Sequence, residues 1–248
     1  MRTPTPAQLL QVWERGGGQS AAACSLLLLG TSCEECSAEA IAALPLGRRD
    51  ALLLQLRARL FGAEICGVAN CPQCAASVEA TFRCDDLRLI PDDADDAAPE
   101  AGHLLSSHGI QVCFRLPDSS DMLALETCAD SAAARRLLLE RCVLAMHGAD
   151  APCAVDALPI ELQAGIAQAM AQADPQADVQ LALTCPNCAH RWQPAFDIAR
   201  FLWQELHAWA LRMLRDVDTL AQAYHWHEAD ILALSPRRRQ AYLELCMS

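Results

Sequence analysis

Two short motifs far apart in the chain constrain it most: Cys71-Pro72-Gln73-Cys74 and Cys185-Pro186-Asn187-Cys188. Each holds two thiols on a proline-stiffened turn. Each also lies beside strand-like runs, Ser77 to Phe82 for the first, Val179 to Thr184 and Trp192 to Ile198 for the second. A tetrahedral thiolate metal site needs four ligands, so two knuckles complete one site if they meet in space. The 110 residues between Cys74 and Cys185 (185 − 74 − 1) would then form a module inserted into a split ribbon. Four thiolates leave no open coordination position. Zinc held by Cys71, Cys74, Cys185 and Cys188 would therefore be a structural clamp and not a catalytic centre. Other arrangements stay open at this point. Each knuckle could build its own site, or one could lack metal. Cys66, Cys71, Cys74 and Cys84 could form a local four-cysteine site, and His190 could replace a thiolate, although it reads as an exposed turn residue.

The 248 residues suffice for one large domain or two small ones. The apolar content is carried by alanine and leucine, with few aromatics, which favours packed helices over a β-sandwich. All 19 basic residues are arginine. Without lysine there is no Schiff-base chemistry and no lysine-bearing phosphate loop. The net charge of −12 argues against nucleic acid as the main partner, because such binding depends on neutralising phosphates. Arg237-Arg238-Arg239 is the one basic run. Met1 to Pro6 lacks the order of a signal peptide, and the aliphatic run Ala21 to Leu29 is too short to span a bilayer. A cytoplasmic protein is expected, in which cysteine pairs more often mean metal than disulfide. Cys24, Cys113, Cys128, Cys142, Cys153 and Cys246 read as small buried residues. Cys33-Glu34-Glu35-Cys36 has an acidic interior that opposes a redox thiolate.

Along the chain, residues 1–62 form an N-terminal helical segment. Gly16-Gly17-Gly18 breaks its first helix, a second runs from about Ser20, and a third covers Arg49 to Phe61 with Leu52, Leu53, Leu56 and Leu60 on one face. Residues 63–90 and 178–199 are the two ribbon halves. Residues 91–109 are an acidic linker carrying Asp92, Asp93, Asp95 and Asp96. The inserted module, 110–177, is mainly helical, with a strand at Ile110 to Leu116 and helices at Leu123 to Cys128, Ala132 to Met146 and Pro159 to Ala173. The tail, 200–248, has an apolar stripe of Leu202, Leu206, Trp209, Met213, Leu214, Val217 and Leu220 that suits a binding surface or the chain's own core. Ser235-Pro236 opens a last helix and puts three arginines in its first turn, where the macrodipole disfavours them and acidic partners would be welcome.

The stretch Cys185 to Trp192, with Phe196-Asp197-Ile198, Phe201-Leu202-Trp203 and Glu205, resembles the baseplate-protein family of contractile-tailed phages. That family is also described as the T-even-type baseplate hub assembly chaperone. Leu220 to Leu234, Arg237 to Leu243, Leu44 to Asp50 and Phe114 to Pro117 fit it too. The sequence departs from it at Ala75 and Ala189, where such knuckles usually carry glycine, and at His227, where a serine cap is expected. The resemblance implies a protein that helps build, or sits in, the baseplate hub of a phage tail or phage-derived injection particle. Its partners would be hub proteins, and it carries over no catalytic residue.

The expected fold is α+β: mostly helical, with a small split zinc ribbon and an inserted helical module. The expected function is a zinc-stapled, non-enzymatic assembly factor or structural component acting by protein–protein binding. It would work in the cytoplasm of a bacterial host during assembly, with incorporation in the particle left open. A zinc hydrolase or deaminase would need an open metal position. His225, His227 and Glu228 offer this only superficially, since alternating residues face different sides of a helix. A zinc-ribbon nucleic-acid adaptor is opposed by charge, and a thiol oxidoreductase by knuckles that lie between strands.

Overall fold

The computed structural model describes residues 1–89, 102–107, 109–148 and 154–246. It is mainly helical with small antiparallel sheets, an α+β protein as expected. The chain divides into two compact units. One comprises Met1–Cys36 with Ala199–Ser248, the other Ser37–Ile198.

The first unit is all helix: α1 (Pro6–Gly16), α2 (Ala21–Ser32), α8 (Ile198–Tyr224, beginning at the unit boundary), α9 (Glu228–Ala233) and α10 (Pro236–Cys246). Thr5 and Gln8 form a capping box at the start of α1, with Pro6 at the position where a missing N–H costs nothing. Gly16 is required by packing, because a Cβ there would fall 2.2 Å from the Trp203 ring. The Trp13 indole N–H donates to His207 Nδ1 at 2.9 Å, tying α1 to α8. The α8 stripe is core: Leu202, Leu206, Ala210 and Leu220 are fully buried, and Met213 nearly so. Trp209 and Val217 are part-buried and Leu214 is exposed, so most of the apolar side, though not Leu214, packs within the chain instead of forming the free binding surface that one reading of the sequence allowed. His225, at φ 56°, ends α8 in the left-handed region. His227 caps α9 without a side-chain hydrogen bond, the expected consequence of a histidine where a serine would serve. Of the three arginines in α10, Arg239 is buried and pairs with Asp216 at 3.5 Å, while Arg237 and Arg238 are exposed.

The second unit begins with α3 (Ala38–Ala42) and α4 (Leu46–Phe61) and then the hairpin β1 (Glu64–Asn70) and β2 (Ser77–Arg83). So the helices of 1–62 are shared between the two units. Helix α4 buries Leu53, Leu54 and Leu56, while Leu52 and Leu60 are only partly covered. Buried Arg57 reaches from α4 to the carbonyls of Gly62 and Glu64, which anchors the start of β1. Pro45 gives α4 no side-chain cap. Asp174 supplies one from a distance, accepting the Gly47 N–H at 2.8 Å. This needs a glycine, since a Cβ on residue 47 would lie 1.7 Å from the Asp174 carboxylate.

The middle of the unit is a three-stranded antiparallel sheet, β3 (His103–Ser107), β4 (Ile110–Phe114) and β5 (Val143–His147), with α5 (Ser119–Leu125), α6 (Ser131–Cys142) and α7 (Ile160–Ala173). Ile110, Val112, Phe114, Leu139, Leu158, Leu162 and Ile166 form its core. Two expectations are corrected here. Residues 103–107, assigned to the linker, form a strand paired with β4, and the aspartates 92–96 lie outside the described residues, as does Cys153. The helix expected to run to Met146 stops at Cys142. The next five residues, opening with β-branched Val143, pair with β4 instead. Asp121 sits at the centre of this module, fully buried. It accepts two hydrogen bonds from Arg115 at 2.6 and 2.9 Å and one from Arg141 at 2.6 Å. The second small hairpin, β6 (Leu183–Thr184) and β7 (Arg191–Trp192), completes the unit.

Candidate metal centre

The two knuckles are the tips of the two hairpins and are built alike. In the first, the Ala75 N–H donates to the Cys71 carbonyl, and the Cys71 N–H to the Ala76 carbonyl, both at 2.9 Å. In the second, Ala189 donates to Cys185, and Cys185 to His190, again at 2.9 Å. Each turn is closed by an alanine at φ 58°, the left-handed conformation that glycine adopts without strain. The chain therefore keeps the geometry of the glycine pattern while using a costlier residue.

The first cysteine of each knuckle is buried, Cys71 at 2% and Cys185 at 1% exposure, and the second is more open. The sulfurs meet across the hairpins: Cys71 faces Cys188 at 3.7 Å and Cys74 faces Cys185 at 3.6 Å. All four lie within 4.8 Å of one another. Four sulfurs on a tetrahedral zinc would be about 3.8 Å apart, given a bond near 2.3 Å. The four-cysteine cluster can hold a metal ion, and it is compatible with a zinc-ribbon-like unit. Val78 and the part-buried Ala76 and Trp192 pack around Cys71 and Cys185. The Phe82 and Phe196 rings meet edge to face at 5.3 Å. Backbone donors favour thiolate at the open positions. The Cys74 thiol is lowered to about 6, first by the Ala76 N–H and then by the Asn187 amide. At Cys188 the His190 N–H pulls the same way, but burial and the neighbouring thiols outweigh it and push the group up to about 12.

The other candidates lie elsewhere. Cys66 is on the exposed face of β1, with Thr81 Oγ1 3.7 Å away, and Cys84 is buried near Arg57 at 3.9 Å. His190 stacks on Trp192, with ring centroids 6.1 Å apart. Among the described residues, the group of metal-ligating side chains that the structure gathers is the four knuckle cysteines, and His225, His227 and Glu228 are not part of it. Each Cys-Pro-x-Cys pair sits on a hairpin turn and not at a helix N-terminus, the setting that activates redox thiols. Cys36 is exposed, and its N–H donates to the Cys33 carbonyl, which ends α2. Sequence reasoning missed Gln176, which holds the two ends of the insertion together. Its side chain accepts from the Leu89 N–H at 2.6 Å and donates to the Leu87 carbonyl at 3.0 Å.

The family model described as T4 bacteriophage base plate protein matches residues 27–203. The chain belongs to that family. The base plate match takes in both knuckles and everything between them. It stops at 203, so the resembling stretches Leu220 to Leu234 and Arg237 to Leu243 lie beyond it. No curated protein and no solved structure matches the chain. Membership in the base plate family supports a structural role in a phage tail and implies contact with other baseplate proteins. Among the described residues, no helix is long and apolar enough to cross a membrane.

Proposed function

We propose that the protein is a non-enzymatic assembly factor or structural component of the baseplate hub in a phage-type contractile tail, stapled by one zinc ion. Cys71, Cys74, Cys185 and Cys188 would hold the ion, whose chemistry there is structural cross-linking of two distant segments. The observation that carries this reading is the convergence of the two knuckles inside a chain of the base plate family. A clamp closing so long a loop removes much chain entropy from the unfolded state, about 4–5 kcal/mol on the cross-link analogy. The family relation and the closed thiolate set favour binding over catalysis. The net charge of −12 favours protein partners over nucleic acid. Assembly would take place in the cytoplasm of the bacterial host.

The test pairs metal analysis with capture. Protein purified without added zinc is expected to carry one zinc per chain, and Cys185→Ser to carry none. Co-expression with each hub protein of the same tail is expected to yield a stable complex with one of them. A zinc retained by Cys185→Ser would sink the shared clamp, and failure to capture any hub protein would sink the hub assignment.

A further inference from the structure

With the α8 stripe buried or half-buried except at Leu214, a binding protein needs another surface, and a groove of about 600 Å³ between α6 and α7 supplies one. Leu139 and Val155 make its apolar lining, and Ile160, 60% exposed on the first turn of α7, forms an apolar rim. Arg135 and Arg136 stand exposed on the opposite side. Elsewhere many arginines are paired within the chain: Arg115 and Arg141 with Asp121, Arg49 with Asp50, Arg239 with Asp216. Arg135 has no acidic partner among the described residues, and Arg136 has only a long 3.9 Å approach to Glu140. Asp156 also lines the groove, so its lining carries two guanidiniums against one carboxylate. In a chain with 31 acidic and 19 basic residues this local excess of positive charge runs against the whole.

The geometry points to this groove as the docking site for an acidic amphipathic segment of a partner protein, its apolar side chains seated against Leu139, Val155 and Ile160 and its carboxylates paired with Arg135 and Arg136. This rests on the reading that the protein acts by binding baseplate proteins, and it names the surface. Buried apolar anchors would give affinity, and the arginine pair would give orientation and selectivity.

The test uses the full chain and two labelled peptides, one with leucine at helical spacing and glutamate elsewhere, the other with glutamine for glutamate. By fluorescence anisotropy the glutamate peptide is expected to bind about tenfold more tightly. R135E/R136E is expected to abolish that advantage, and Ile160→Ser to weaken both peptides. Equal binding of the two peptides would overturn the proposal, as would unchanged binding by R135E/R136E at a wild-type melting temperature. Self-association of the chain alone, broken by R135E/R136E, would assign the groove to a second copy and overturn it too. Should R135E/R136E melt early, R135Q/R136Q is measured in its place. If the variant still captures the hub protein in co-expression, the groove is wrong and the binding role stands. If the wild-type chain captures none, the binding role itself falls.

Discussion

Ala75 and Ala189 hold the left-handed residue of each knuckle, both at φ 58°, a conformation that alanine disfavours and the turn therefore imposes. A non-glycine residue there costs about 1–2 kcal/mol. Ala75→Gly and Ala189→Gly are each expected to stabilise the protein by about 0.5–1 kcal/mol, read as a higher urea midpoint with unchanged metal content. Asp121 is the opposite kind of residue, one the fold cannot spare. Burial works against its charge, but the Arg115 and Arg141 hydrogen bonds and the Asp118 N–H win and lower it from 3.8 to about 2. A depressed carboxylate stabilises the folded state above its unfolded pKa, and that contribution disappears as pH falls from about 4 to 2. Asp121→Ala leaves two arginines around an empty position and is expected to cost about 3–5 kcal/mol at pH 7. Its penalty should shrink below pH 4; a penalty constant down to pH 2 would contradict this account.

At the scale of elements, the N-terminus of α4 depends on a residue 127 positions away, because Pro45 offers no side chain to cap it. Gly47→Ala is expected to destabilise by about 3 kcal/mol, since its Cβ must displace the Asp174 carboxylate. Asp174→Ala should cost about 1 kcal/mol as an ordinary lost cap. Denaturant melts of the two variants check both figures. The knuckles, α4, α7 and the apolar stripe of α8 were legible in the sequence because each obeys a local rule of spacing or periodicity. Strands β3 and β5 were not. His103 to Ser107 has little β-branched character and follows an acidic run, and Val143 to His147 continues a leucine-rich helical pattern without a break. Only their pairing with β4, a contact distant in sequence, makes them strands. The Arg115–Asp121–Arg141 cluster and the Asp174 cap were hidden for the same reason: no spacing rule connects their members.

For the molecule as a whole, stability against pH combines opposing carboxylates. Burial raises Asp50 to about 6, outweighing the Arg49 guanidinium that lies 2.7 Å away. A raised carboxylate favours the folded state at low pH, and this gain fades as pH climbs through 6. Relative to Asp50→Asn, the native protein is expected to gain about 1 kcal/mol on going from pH 7 to 5. Comparing the two proteins at each pH cancels any change at the cysteines. Four thiols in two motifs made the sulfur cluster legible, whereas the Gln176 tie between the two ends of the insertion was not, because no motif announces it. The distance between those motifs also bears on synthesis. On a ribosome adding about 5–20 residues per second, the first knuckle emerges roughly 6–20 s before the second. Throughout that interval Cys71 and Cys74 are half of a site. Under the proposed clamp, a chain that stops short of Cys188 would never complete the four-cysteine cluster, so closure would report that translation has passed the insertion and returned to the ribbon.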